Sequence, residues 1–111
     1  MSPPNPLDGR IVRREKVTRY LLDTTSREGA GKARFFTAFG FSPDEPDALV
    51  AALLEHGGIN PITDFWDDRW GRHYEVVGPI RSPDGRDPRV LTAWIRDATG
   101  EIRLATAYAA P

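Results

Sequence analysis

Five side chains in this chain of 111 residues have the types that phosphate chemistry needs: Lys32, Arg86, Arg103, Thr106 and Tyr108. Cationic side chains neutralise the charge that builds on a phosphoryl oxygen in a pentavalent transition state, and a hydroxyl can orient a ribose or phosphate oxygen. Cleaving RNA without a metal asks for little more than that and one proton acceptor. Arg103, Thr106 and Tyr108 fall on one short apolar segment, and Arg86 and Arg89 lead into the segment before it. A plainer use competes, with Arg86 in a turn, Trp94 and Tyr108 in the core and the arginines in cross-strand ion pairs.

Other motifs carry less. Gly29-Ala30-Gly31-Lys32 invites a phosphate-loop reading, but Ser26 stands where a Walker A loop needs Gly, Ala33 stands where it needs Ser or Thr, and no strand precedes it. His73, beside Tyr74 and Glu75, has the side chain for a general base, while His56 reads as a helix-terminal residue favoured by the dipole. Asp64, Asp67, Asp68 and Glu75 could hold a divalent cation or face a basic partner, although Asp also populates solvated turns. There is no Gly-x-Ser-x-Gly elbow, and the chain has no cysteine, hence no disulfide, thiolate nucleophile or cysteine-ligated metal. No cofactor or metal is expected.

The elements that must carry these residues follow from length and periodicity. At this length and 40% hydrophobic residues, one core and one domain are expected. Residues 1–10, rich in proline, are expected to form a flexible leader ahead of a single domain over 11–111. Helical spacing predicts a helix near Arg14–Leu22 that ends at Asp23-Thr24-Thr25-Ser26. A second helix opens at Gly29-Ala30-Gly31 and is capped by Gly40; a third starts in Ser42–Asp47, buries Leu49, Val50, Leu53 and Leu54, and stops at Gly57-Gly58.

Beyond Pro61 the period becomes two, which predicts strands over Ile62–Trp66 and Arg72–Ile80 and two more through Val90–Arg96 and Ile102–Tyr108. Ser82-Pro83-Asp84-Gly85 and Asp97-Ala98-Thr99-Gly100 supply the hairpin turns. The fold class is α+β, with N-terminal helices packed on a four-stranded antiparallel meander. On the third strand, alternation sets Val90, Thr92, Trp94 and Arg96 against Leu91, Ala93 and Ile95. On the fourth it sets Ile102, Leu104, Thr106 and Tyr108 against Arg103, Ala105 and Ala107.

Fifteen basic against sixteen acidic residues give no global pull toward nucleic acid or anionic membrane, yet the distribution is uneven: residues 41–68 hold seven acids and no Lys or Arg. Thirteen of the bases are Arg, which suits bidentate binding of phosphate but also follows from a GC-rich coding sequence. With no secretory leader and no apolar run of membrane-spanning length, a cytoplasmic protein with no membrane partner is the expectation.

Taken together, Lys32-Ala33-Arg34-Phe35-Phe36, Phe39-Gly40-Phe41, the Leu49–His56 segment, Tyr74, Gly78-Pro79, Asp84-Gly85-Arg86, Trp94 and the run Arg103–Tyr108 resemble the bacterial family DUF6883 over roughly residues 10–109. That resemblance implies a setting among toxin-like proteins and carries over Lys32, Arg86, Arg103, Thr106 and Tyr108 as recurrent positions. The order of elements is more loosely similar to the barnase, EndoU, colicin and RelE group of metal-independent ribonuclease toxins. The implied partners are RNA and a cognate protein or antitoxin; a non-enzymatic interaction module, using Trp66, Trp70 or Trp94, is the alternative.

Overall fold

The computed structural model describes residues 4–25, 27 and 29–111; Met1–Pro3 of the expected leader and Ser26 of the expected helix stop lie outside the described residues. The elements are α1 (Arg14–Lys16), which runs into a π-helix (Val17–Leu21), then α2 (Ala30–Ala38), α3 (Pro46–Ile59), β1 (Ile62–Asp68), β2 (Gly71–Pro79), β3 (Arg89–Arg96) and β4 (Ile102–Ala109). The strands form one antiparallel sheet in the order β1-β2-β3-β4, so the chain is α+β with a meander, as the periodicity predicts.

One face of the sheet is apolar and packs on the helices. Tyr74 and Val76 of β2, Val90, Thr92 and Trp94 of β3, and Ile102, Leu104 and Ala107 of β4 are buried there with Leu49 and Leu53 of α3, Phe36 of α2, and Val17 and Leu21 of the π-helix. Burying side chains of this size stabilises the fold by roughly 1.5–3 kcal/mol each; burial alternates along β2, whereas β3 is buried on both faces, with Leu91 and Ile95 also covered on the other side.

Several expectations are corrected. Residues 4–10 are not a free leader, because Leu7 is completely buried and Arg10 donates from Nε to the Leu54 carbonyl at 2.8 Å. The first helix follows the predicted span but is mostly π-wound, with the Leu22 amide bonded to the Val17 carbonyl at 2.8 Å. Gly57-Gly58 do not stop α3, which runs on to Ile59. Gly57 serves close approach instead: a Cβ there would lie 2.7 Å from the Trp94 ring.

His56 is also not an exposed charge at a helix end. It is 1% exposed, with Nδ1 2.9 Å from Thr92 Oγ1 and Nε2 3.0 Å from the carbonyls of Gly78 and Val90. Trp94 Nε1–H donates to Thr92 Oγ1 at 2.8 Å. The two carbonyls at Nε2 place a proton there, and the Thr92 hydroxyl, while accepting from Trp94, can donate its own hydrogen to Nδ1 of a neutral ring. Burial pushes the His56 pKa below its ordinary value, and the two backbone carbonyls only partly oppose that.

Candidate functional site

The decisive local feature is a bulge in β4. Ala93 pairs with Thr106 and Trp94 pairs with Leu104, so Ala105 is an extra residue without a partner on β3. The burial pattern follows that register: Ile102, Leu104 and Ala107 are buried, whereas Arg103 and Thr106 are half-buried and Tyr108 is exposed. Strict alternation places Arg103 on the face opposite Thr106 and Tyr108. The bulge absorbs one residue and restores all three to the open face, the one turned away from α3.

Arg103 lies opposite Ile95, Thr106 opposite Ala93 and Tyr108 opposite Leu91. They therefore form a strip of roughly 13 Å along the strand, four residue steps in length. Arg103 pairs with Asp97 at 2.7 Å. Thr106 Oγ1 is shielded from solvent and has no hydrogen-bond partner among the described residues. Such hydroxyls are uncommon in a settled fold and ask for a ligand or another reason. Lys32 reaches the strip from α2, its Nζ 6.0 Å from the centre of the Tyr108 ring and 5.1 Å from that of Tyr20.

Arg86 is not brought to this group. It sits in the β2–β3 turn, where Nε bonds Asp84 at 2.7 Å, a second guanidinium nitrogen donates to the Ala38 carbonyl, and the head stacks 4.4 Å from the Phe39 ring centre. Arg103 lies at the far end of the sheet, opposite Ile95, six residues up β3 from Arg89 and so roughly 20 Å along the strands from the turn that holds Arg86. Arg86 fastens the turn to the C-terminal end of α2, whose last carbonyls lack helical partners.

Four residues near the strip carry no signal in strand alternation alone. Arg13 and Lys16, with Tyr20 and Glu15, line a hollow of about 530 Å³ beside Ala105, and Arg13 and Lys16 with Arg103 and Ile95 line an adjoining one of about 370 Å³. Ile11 puts them there: it accepts from the Leu104 amide and donates to the Ile102 carbonyl, at 3.0 and 2.8 Å, along the outer edge of β4. Lys16 Nζ also lies 5.4 Å from the Tyr20 ring centre, so Lys16 and Lys32 both approach Tyr20. The four-residue spacing of Lys16 and Tyr20 on a helix is the sequence signal that marks this pair.

Across the open face, Ala93 separates Thr106 on β4 from Glu75 on β2. Among the described residues the Glu75 carboxylate has no ion pair; only its backbone carbonyl accepts, from Thr63 Oγ1 at 3.3 Å. Glu75 thus faces Thr106 over a low alanine floor at about two strand spacings, ~10 Å between backbones. His73 is differently employed. Its ring stacks on Trp66 at 5.1 Å between centres and 3° between planes, with Nε2 2.8 Å from Asp68 Oδ2.

Asp67 lies on the opposite face of β1, doubly bonded to Arg72 at 2.8 Å, and those bonds hold its carboxyl below the usual range. Among the described residues no three His, Asp or Glu side chains converge as a metal centre requires.

Helices leading into an antiparallel meander whose last strand is bulged define a compact α+β class. The same fold is found in a chain of the contact-dependent growth inhibition toxin–immunity protein complex from Klebsiella pneumoniae 342, with a TM-score of 0.71 and 16% identity over 88% of this chain and 97% of that one. The family model described as a domain of unknown function, DUF6883, matches residues 4–111, and the chain belongs to that family. No curated protein matches. The match takes in the buried Leu7 turn that the resemblance, beginning near residue 10, leaves out.

Proposed function

We propose that this domain is the RNA-cutting member of a toxin–immunity pair and that it works without a metal through the open face of β2–β4. The observation that carries the reading is the β4 bulge, which gathers Arg103, Thr106 and Tyr108 on one face with Lys32 beside them and an unpaired Glu75 across Ala93. The fold shared with a chain of a toxin–immunity protein complex supports the setting.

In this reading Glu75 accepts the ribose 2′-hydroxyl proton, O2′ attacks phosphorus, and the P–O5′ bond breaks to leave a 2′,3′-cyclic phosphate. The departing O5′ takes its proton from Tyr108 or from solvent. Lys32 and Arg103 neutralise the phosphoryl oxygens, and the Thr106 hydroxyl, with no partner of its own, holds the ribose or a non-bridging oxygen. Arg86 positions α2, and Lys32 with it, through Ala38 and Phe39.

The test is cleavage of a labelled RNA in the presence of a chelator, beside the same strand carrying 2′-deoxyribose throughout. RNA is expected to be cut to cyclic-phosphate ends and the deoxy strand to survive; equal cutting of both, or dependence on added metal, overturns the reading. The second reading, a non-enzymatic interaction module, is favoured by Trp66 and Trp70, which are 40% and 62% exposed. It predicts an inert domain that still binds its protein partner.

A further inference from the structure

The opposite edge of the sheet carries a separate observation. β1 is an outer strand, so its far side has no neighbouring strand, and six of its seven residues are exposed. Phe65 on one face of β1 is 60% exposed, Trp66 on the other, stacked on His73, is 40% exposed, and the turn residue Trp70 is 62% exposed. Natural edge strands are usually blunted by charged side chains, Pro or a bulge, and the charges on this one are the three aspartates of β1. Here the irregularity is at Thr63, near the start of the strand, and Asp64–Asp68 run on in regular register with β2.

The two sides of this edge differ. On the helix side, Ile62, Phe65, Pro6, Tyr74 and Arg72 line an apolar hollow of about 360 Å³, with the Arg72 guanidinium 5.5 Å from the Phe65 ring centre and locked by Asp67. On the open side, Asp64 and Asp68 flank Trp66. An added strand presents successive side chains to opposite faces, so its residues would meet these two surfaces in turn.

We propose that the β1 edge docks an extended segment of a protein partner as a fifth strand, with alternating apolar and basic side chains. The apolar residues enter the hollow at Ile62 and Phe65. The Lys or Arg residues lie against the face of Trp66 that His73 does not cover, between Asp64 and an Asp68 already paired with His73, where an indole face and carboxylates both attract cations. Charge selects this occupant: β1 holds three acids and no base, so a second copy would bring six carboxylates to one edge with no basic residue on either strand, and a polynucleotide would be repelled. The inference does not rest on RNA cleavage, since β1 and β4 are opposite edges of the sheet.

The test uses the whole chain, isotope-labelled, titrated with a capped Lys-Val-Lys-Val-Lys-Val-Lys peptide and followed by amide and indole NMR shifts. The expected result is movement of Ile62–Asp68 and of the Trp66 indole, abolished when alternate peptide amides are N-methylated. Asp64→Lys, at an exposed site, is expected to weaken binding about tenfold and to admit the Glu-Val counterpart instead; an unshifted Trp94 indole shows that the variant is folded. Absence of response, shifts centred on β4, equal binding of the acidic peptide to the unaltered chain, or dimerisation through β1 that leaves the peptide inert would each overturn the proposal.

Discussion

Two residues with similar chemistry on paper, Arg86 and Arg103, are separated by what holds them. Arg86 spends its guanidinium on Asp84, the Ala38 carbonyl and the Phe39 ring. Arg86→Ala is therefore expected to lower the melting temperature by a few degrees, on the order of 1 kcal/mol, because an exposed ion pair adds little and the bond to a helix-end carbonyl adds most. Any loss of RNA binding should be small and should track that loss of stability. A large loss of binding with unchanged melting would put Arg86 back on phosphate. His56 bears on stability in a different way. Its folded pKa is lowered from 6.5, so its contribution is complete above about pH 6.5 and is lost as pH falls from there toward the folded value, by at most about 1.4 kcal/mol per pH unit. Chemical denaturation of the native chain between pH 7.5 and 5 should show that decline, and His56→Gln should flatten it. A native profile that rises toward acid would contradict a His56 that burial keeps neutral.

The elements were largely readable because their signals are local. Pro46 at the start of α3, the Leu49 and Leu53 stripe, and the glycine turns at Gly85 and Gly100, with φ of 81° and 89°, act within a few residues of themselves. What escaped depends on partners distant in sequence. Leu7 is buried by the assembled core, Gly57 and His56 answer to β2 and β3, and the phase of β4 is set by pairing with β3 across Ala105. The candidate site was therefore half legible: residue types pointed to Arg103, Thr106, Tyr108 and Lys32, but their common face, and the place of Glu75, Arg13 and Lys16 beside them, required the bulge and the Ile11 bridge. The bulge gives a clean test at this scale. Deleting Ala105 keeps Ile102, Leu104 and Ala107 facing inward, so the chain should fold with near-native melting. Straightening the strand should close the hollow beside Arg13 and Lys16 and weaken single-stranded RNA binding severalfold. Unchanged affinity would show that the hollow has no part in binding.

At the scale of the whole molecule a net charge of −1 conceals a division of labour. The β4 edge gathers Arg13, Lys16, Lys32 and Arg103, of which Arg13 and Arg103 are paired with Glu101 and Asp97, while the charged residues of β1 are all acids, Asp67 and Asp68 being paired with Arg72 and His73. The proposed RNA contact and the proposed basic protein segment would then lie at opposite edges of the sheet. RNA affinity should fall with salt, and Lys16→Ala or Lys32→Ala should each reduce the log–log slope by about 0.7, the value for one phosphate contact on a single strand. Among the described residues no helix is long and apolar enough to cross a membrane. The measurement that bears most directly on the account is the rate of RNA cleavage, in chelator, by the native chain, by Glu75→Gln, by Arg103→Ala with Thr106→Val, and by Arg86→Ala, each confirmed folded by its melting curve. Cleavage by the native chain, retention in Arg86→Ala, and a loss of a hundredfold or more in Glu75→Gln, the scale of a general base, are expected. Undiminished cleavage in the Glu75 and Arg103/Thr106 variants, or a native chain that is folded and inert, would contradict the proposed function.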